Sequence, residues 1–211
     1  MLKDMLTLVQ TRWDFFLGLL WEHLQISFIS IVFAMAIGLI IGIVISEFRK
    51  SSKFVIGLVN LLYTIPSISL LGLLIPLSGI GDTTAIIALT IYALLPMVRN
   101  TFTALTNISP LLIEAATGMG STKLQTLFKI KLPLAVPIMI AGIRNMAVMT
   151  IALGGIASFI GAGGLGVAIY RGITTNNKAM TLIGSLLIAV LAIVIDLLIG
   201  IIEKITKKHK I

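Results

Sequence analysis

LQISFISIVFAMAIGLIIGIVIS, residues 24–46, contains no charged side chain. About 20 predominantly apolar residues in a helix cross the hydrocarbon core of a bilayer. A stretch of this length and composition therefore reads as a membrane-spanning helix. Four further stretches read the same way. Phe54–Leu77 has Pro66 inside it and Pro76 near its end. Thr83–Val98 is short and is tilted or extended past Arg99. Pro133 to about Ile160 is interrupted by Arg144, and Ala179–Ile202 by Asp196. Strand-type alternation is absent, which argues against a β-barrel. The expected fold class is an all-α integral membrane protein of about five transmembrane helices.

The whole composition agrees. Of 211 residues, 58% are hydrophobic and 11% charged, with a mean hydropathy of +1.12. A soluble domain is about half apolar and about a quarter charged. Too little polar surface exists here to cover a water-soluble enzyme, and the chain is far too apolar for disorder. There is no cysteine, so disulfides, thiol catalysis and cysteine-based metal sites are excluded. His23 and His209 are isolated and offer no metal constellation.

The net charge is +8. The basic residues are scattered between apolar runs and form no stripe of the kind that binds nucleic acid. Basic residues mark the cytoplasmic loops of membrane proteins. Eleven fall on one side: Arg49, Lys50, Lys53, Arg99, Lys123, Lys129, Lys131, Lys204, Lys207, Lys208 and Lys210. Four fall on the other: Lys3, Arg12, Arg171 and Lys178. Five spans then place the N-terminus outside and the C-terminus in the cytoplasm. Residues 1–22 mix Trp13 and Trp21 with Arg12, Asp14 and Glu22, lack the order of a signal peptide, and read as a short interfacial helix. The expected organisation is 1–22 as this external segment, 23–202 as the membrane domain, and 203–211 as a basic cytoplasmic tail.

Most connections are short, but residues 101–132 form one long cytoplasmic loop, and long loops carry function unless disordered. Ser109-Pro110 is a helix start, with Ser as cap and Pro in the first turn. Gly118 and Gly120 break that helix. Ser121 or Thr122 caps a second, with Leu124, Leu127 and Phe128 on one face. Pro133 then opens the next span. Two short helices with apolar faces and a basic flank make a docking element for a soluble partner.

Within this loop Glu114-Ala115-Ala116, three residues, Gly120, nine residues, Ile130, one residue, and Leu132-Pro133 reproduce the long form of the "EAA" motif. The chain thereby resembles the permease subunits of ABC importers. Further stretches resemble the permeases of glycine betaine, carnitine and choline importers. They are Tyr63-Thr64-Ile65-Pro66-Ser67, Tyr92-Ala93-Leu94-Leu95-Pro96 with Arg99-Asn100-Thr101, Ala141-Gly142-Ile143-Arg144, and Ile160 to Gly166. The resemblance covers all but the first twenty residues and the basic tail.

The resemblance implies a type-1, methionine-importer-like permease domain in the bacterial plasma membrane. It also implies a cytoplasmic ATPase dimer that holds ATP and Mg, a second permease subunit (a different chain or a second copy), and an extracellular lipid-anchored binding protein. This chain has no Gly-x4-Gly-Lys-[Ser/Thr] phosphate loop, so energy comes from the partner and no cofactor is expected here. Glu114, Ala115, Ala116, Gly120, Ile130, Leu132 and Pro133 would couple to the ATPase. Glu114 would cap or pair at the contact, and Gly120 would permit a tight turn where a Cβ would clash.

Gly161, Gly163, Gly164 and Gly166 contain G-x-G-x-x-G, but no strand precedes them. They read as a flexible turn or gate at the outer mouth, with close backbone packing, and not as a dinucleotide site. Arg144 and Asp196 are charges within spans, roughly 16 Å and 10 Å from the cytoplasmic ends at about 1.5 Å per residue. Such charges are costly in lipid and demand a partner. They are expected to form a structural ion pair joining the fourth and fifth spans. Aromatic faces hold quaternary ammonium groups. Tyr63, Tyr92 and Phe159 are thus candidate translocation-pathway residues, with Pro66 as the kink beside them. Two other readings stand against the osmoprotectant one: a permease for methionine or another small amino acid, and a non-transporting membrane anchor.

Overall fold

The computed structural model describes residues 1–208, and among these no β-strand occurs. His209 and Lys210, and the side chains of Lys207 and Lys208, lie outside the described residues. The helices are α1 (Leu2–Thr11), α2 (Trp13–Glu47), α3 (Arg49–Thr64), α4 (Ser67–Ser78), α5 (Asp82–Thr106), α6 (Pro110–Gly118), α7 (Lys123–Thr126), α8 (Leu132–Gly154), α9 (Gly166–Thr174) and α10 (Lys178–Lys208). A π-helical turn, Leu127–Lys131, joins α7 to α8. A 3-10 turn, Ala157–Ile160, follows α8. Among the described residues four helices are long and apolar enough to cross a membrane, or five if the bent pair α3–α4 is one crossing.

α5 is the centre of the bundle and packs against α2, α8, α3 and α4. Its closest neighbour is α2, for a reason visible in the side chains. Ser30, Ala34, Gly38, Gly42 and Ser46 recur every four residues, so they line one face of α2, and all are buried. A Cβ at Gly42 would stand 2.5 Å from Thr101 Cβ, and one at Gly38 2.7 Å from Met97 Cγ. Lipid tails are as apolar as Leu, so membrane helices associate through such small residues and close dispersion contact. Ala34, Ala93, Met97 and Met146 then close a layer shared by α2, α5 and α8. Gly42→Leu is expected to push α2 off α5 at a cost of about 1–3 kcal/mol from overpacking. A lower thermal transition of the detergent-solubilised subunit is the readout, and an unshifted transition would contradict this packing.

α10 shows the opposite pattern. Leu186, Val190, Ile193, Leu197 and Ile201 form one exposed apolar face, suited to lipid. Its other side packs on α8 and α9.

Several sequence expectations change. Residues 1–22 are not one interfacial helix. The chain breaks at Arg12, α1 folds against α10, and Trp13 to Glu22 already belong to α2. The reason is burial: Phe16 and Leu19 enter a core with Ile151, Leu165, Met180 and Ile183, to which Met5, Leu8 and Val9 add. The second span is not a single kinked helix. α3 begins at Arg49 and is bent from α4 by 97°. Pro66 supplies no N–H, and Ile65 before it is extended, as a residue preceding proline prefers to be. Pro96 and Pro137, by contrast, sit inside unbroken helices.

The 101–132 loop is shorter than expected at both ends. Thr101 to Thr106 are the last turns of α5, and the helix from Lys123 runs on through the π turn to Gly154. The true connection between the long helices is 107–122, with α6 inside it. The fourth span stops at Gly154, because Gly155 and the following 3-10 turn lead into the glycine segment.

Candidate functional site

α6 begins at Ser109-Pro110 as expected, with Pro at the first helical position. Ser109 makes no side-chain cap bond. The helix ends in a Schellman arrangement. Ser121 N–H donates to Ala116 O at 3.0 Å, and Gly120 N–H to Thr117 O at 2.9 Å. This closure needs a left-handed residue, and Gly120 has φ +84°. The expectation of a steric clash is corrected: a Cβ at Gly120 would meet nothing within 4 Å. The glycine is required by its backbone angle alone. α7 then starts with a full capping box. Gln125 N–H donates to Thr122 Oγ1, and Thr122 N–H to Gln125 Oε1.

These two stops fix how the motif is displayed. Ala116 is buried, 1% exposed, and anchors α6. Glu114 and Ala115 are exposed. Leu111, Met119, Leu124 and Phe128 are 62–83% exposed, an unusual density of bare apolar side chains in a connecting segment. Arg49, Lys50, Lys53 and Lys123 stand exposed around the same end of the bundle. Glu114 lines an open cleft with Arg49, Thr106, Asn107, Pro110 and Ile113. Ile130 and Leu132 are half-buried, and Pro133 is exposed in the first turn of α8. Leu124, Leu127 and Phe128 do not share a face. Leu127 is buried with Ala104, Leu105, Ala135 and Met139, while the other two project outward.

At the opposite end the glycine turn is held, not free. Gly163 N–H donates to Asp82 Oδ1 at 2.9 Å and Gly164 N–H to Glu22 Oε2 at 3.0 Å. Two carboxylates from α5 and α2 thus fix two consecutive amides. Gly161 and Gly164 are left-handed, at φ +75° and +95°. Gly166 lies directly on the Gly155 carbonyl, where a Cβ would collide. The close-packing part of the expectation matches this geometry. His23 is buried beside the turn, with Nε2 3.0 Å from Ile151 O.

Arg144 and Asp196 come together. The guanidinium donates from Nε to Asp196 Oδ1 and from Nη2 to Oδ2, each at 2.6 Å. This two-pronged arrangement matches the fork of arginine to the carboxylate. A third member was not read from the sequence: Nη1 donates to Glu203 Oε2 at 3.3 Å. The signal existed in the spacing. Asp196, Gly200 and Glu203 fall on one face of α10, and the guanidinium lies over Gly200, where a Cβ would stand 3.3 Å from Arg144 Cζ.

The candidate pathway aromatics separate into two pairs. Tyr63 and Tyr92 meet edge to face at 5.8 Å. The Tyr92 hydroxyl donates to Ile65 O, the carbonyl left without a helical partner at the break before Pro66. Tyr92 is 6% exposed and Tyr63 40%. Phe159 lies elsewhere, on the 3-10 turn, edge to face with Tyr170 of α9.

Residues 20–208 match the family described as the binding-protein-dependent transport system inner membrane component. The chain belongs to this family. It is 37% identical over 204 residues to a carnitine transport permease protein of Listeria monocytogenes, OpuCD, with 96% of this chain and 92% of that one covered. It is 42% identical over 187 residues to the osmoprotectant import permease protein OsmW of Salmonella typhimurium, covering 86% and 87%. Among solved structures it resembles a chain of the MetNI methionine ABC transporter in an inward-facing conformation. The TM-score is 0.85 at 28% identity, with 93% of this chain and 98% of that one covered.

A binding-protein-dependent permease is a multi-pass membrane component and not a catalyst. Family membership removes the reading as a non-transporting anchor.

Proposed function

We propose that this chain is the pore-forming subunit of an ATP-driven importer of quaternary-ammonium compatible solutes: glycine betaine, carnitine or choline. The observation that supports this cargo is the similarity, at 36–42% identity, to permeases named for carnitine, for glycine betaine/carnitine/choline and for osmoprotectants. The likeness to the methionine transporter is weaker in sequence, at 28–29%, and supports the architecture more than the cargo.

The loop end of the bundle faces the cytoplasm, where a partner ATPase carrying ATP and Mg grips α6. Exposed Leu111, Ala115 and Met119 pack into that partner, and Glu114 pairs at its rim. The glycine turn faces outward, toward a lipid-anchored binding protein that delivers solute. A second permease subunit completes the pore. Tyr63 presents an aromatic face beside the break at Pro66, the kind of surface a quaternary ammonium prefers. When the ATPase closes, α6 is displaced and the long helices rock between inward and outward forms.

The test is uptake by vesicles containing the assembled transporter, energised with ATP. Radiolabelled glycine betaine, carnitine or choline should accumulate and methionine should not. Accumulation of methionine alone, or of betaine without ATP, would overturn this reading.

A further inference from the structure

Lys131 occupies the single open position between Ile130 and Leu132 of the loop motif. Its Nζ lies 2.7 Å from Oε1 of Glu47, the last residue of α2. The two residues are 84 apart in sequence. Their side chains are 17% and 28% exposed, and the pair lies at the surface of the bundle end.

The backbone around Lys131 gives the pair its interest. Lys131 closes the π turn Leu127–Lys131, and Leu132 N–H bonds Leu127 O, five residues back. A π turn acts as one inserted residue. It rotates the downstream helix relative to the upstream one, and it is a place where a helix bends. Upstream, Leu127 is wedged among Ala104, Leu105, Ala135 and Met139, with Leu39 and Ile43 of α2 packed on the same cluster. A displacement arriving at α6 therefore has two outlets. One runs along the helix into α8, through the π turn, a place where helices bend. The other crosses directly to the end of α2.

We infer that the Lys131–Glu47 pair is a force-transmitting clamp that makes α2 move together with the docking loop and α8. The inference rests on the importer reading above. Without the clamp, the π turn yields and movement of the loop is lost in bending. Lys131 and Glu47 are positioning residues, acting through the helices they join.

The test uses the whole transporter, co-purified with its ATPase and binding protein and reconstituted in vesicles. The readout is solute accumulated per ATP hydrolysed, with whichever solute the unaltered transporter imports. Lys131→Ala and Glu47→Ala should each assemble normally and hydrolyse ATP, yet lower that ratio about five-fold. The exchange Lys131→Glu with Glu47→Lys should restore at least about half of it, as coupled partners do in a mutant cycle. An unchanged ratio in the single variants, no recovery in the exchange, or a loss confined to the amount of assembled complex would each overturn the clamp. If the unaltered transporter shows no ATP-driven uptake, the importer reading fails. The clamp is then judged by spin-label distances between position 44 on α2 and position 119 beyond α6. A broadened distribution in Lys131→Ala supports it, and an unchanged one overturns it.

Discussion

Arg144→Ala should sharply reduce the amount of subunit that assembles in the membrane, while transcript and synthesis stay normal. The guanidinium holds Asp196 and Glu203 together, at 2.6 and 3.3 Å. Removing it leaves two carboxylates on one face of α10, turned toward α8 and away from the exposed apolar face that lipid contacts. Truncating one member of such a cluster is worse than deleting the pair, because Asp196 keeps its desolvation cost and loses the guanidinium. The same reasoning sets the rescue. Asp196→Ala added to Arg144→Ala should recover part of the assembled material. The check is quantitative blotting of the membrane fraction and size-exclusion of the solubilised complex. Normal assembly of Arg144→Ala with abolished uptake would show instead that the cluster belongs to the transport pathway.

Gly120→Val should leave assembly nearly intact and reduce uptake by about tenfold or more. At φ +84° a β-branched residue is strained by about 1–3 kcal/mol. The Schellman bonds from Ser121 and Gly120 set where α6 ends and at what angle α7 departs. Losing them allows α6 to extend or tilt, which misplaces Ala115 and Met119 by ångströms while the buried bundle is untouched. Gly120→Asn, which tolerates the left-handed region better, should lose less. Glu114→Lys combined with Gly120→Val should leave ATP hydrolysis by the complex running without solute uptake. Uptake and hydrolysis measured on the same vesicles check this. Equal losses in both would mean that the partner no longer binds at all.

How far the site could be read from the sequence varied with the range of the forces involved. The motif residues Glu114 to Pro133, the helix start at Pro110 and a cap at Ser121 or Thr122 are short-range patterns and were legible, while the choice of Thr122 and its reciprocal bond with Gln125 came from the structure. So was the need for Arg144 and Asp196 to meet, since a charge in lipid demands a partner. Glu203 was overlooked because it sits near the chain end, where a carboxylate among lysines looks like ordinary solvated charge. Tyr92 looked like a lining residue, yet its hydroxyl is spent on the Ile65 carbonyl that the break before Pro66 leaves unbonded. Phe159 shared its chemistry with the tyrosines but not their place.

Hydropathy, charge asymmetry and the long motif were enough to determine a helical membrane permease with one connecting segment that carries the motif. Each depends on neighbours within a few turns, or on a sum over the chain, and none needs knowledge of which helix touches which. Tertiary structure alone decided the fold-back of α1 onto α10, the clasp of Asp82 and Glu22 on the glycine turn, and the pairing of Lys131 with Glu47. Those features are contacts between residues 81 or more positions apart. Their energies are small and numerous, and only the packed arrangement of all the helices selects which of them form.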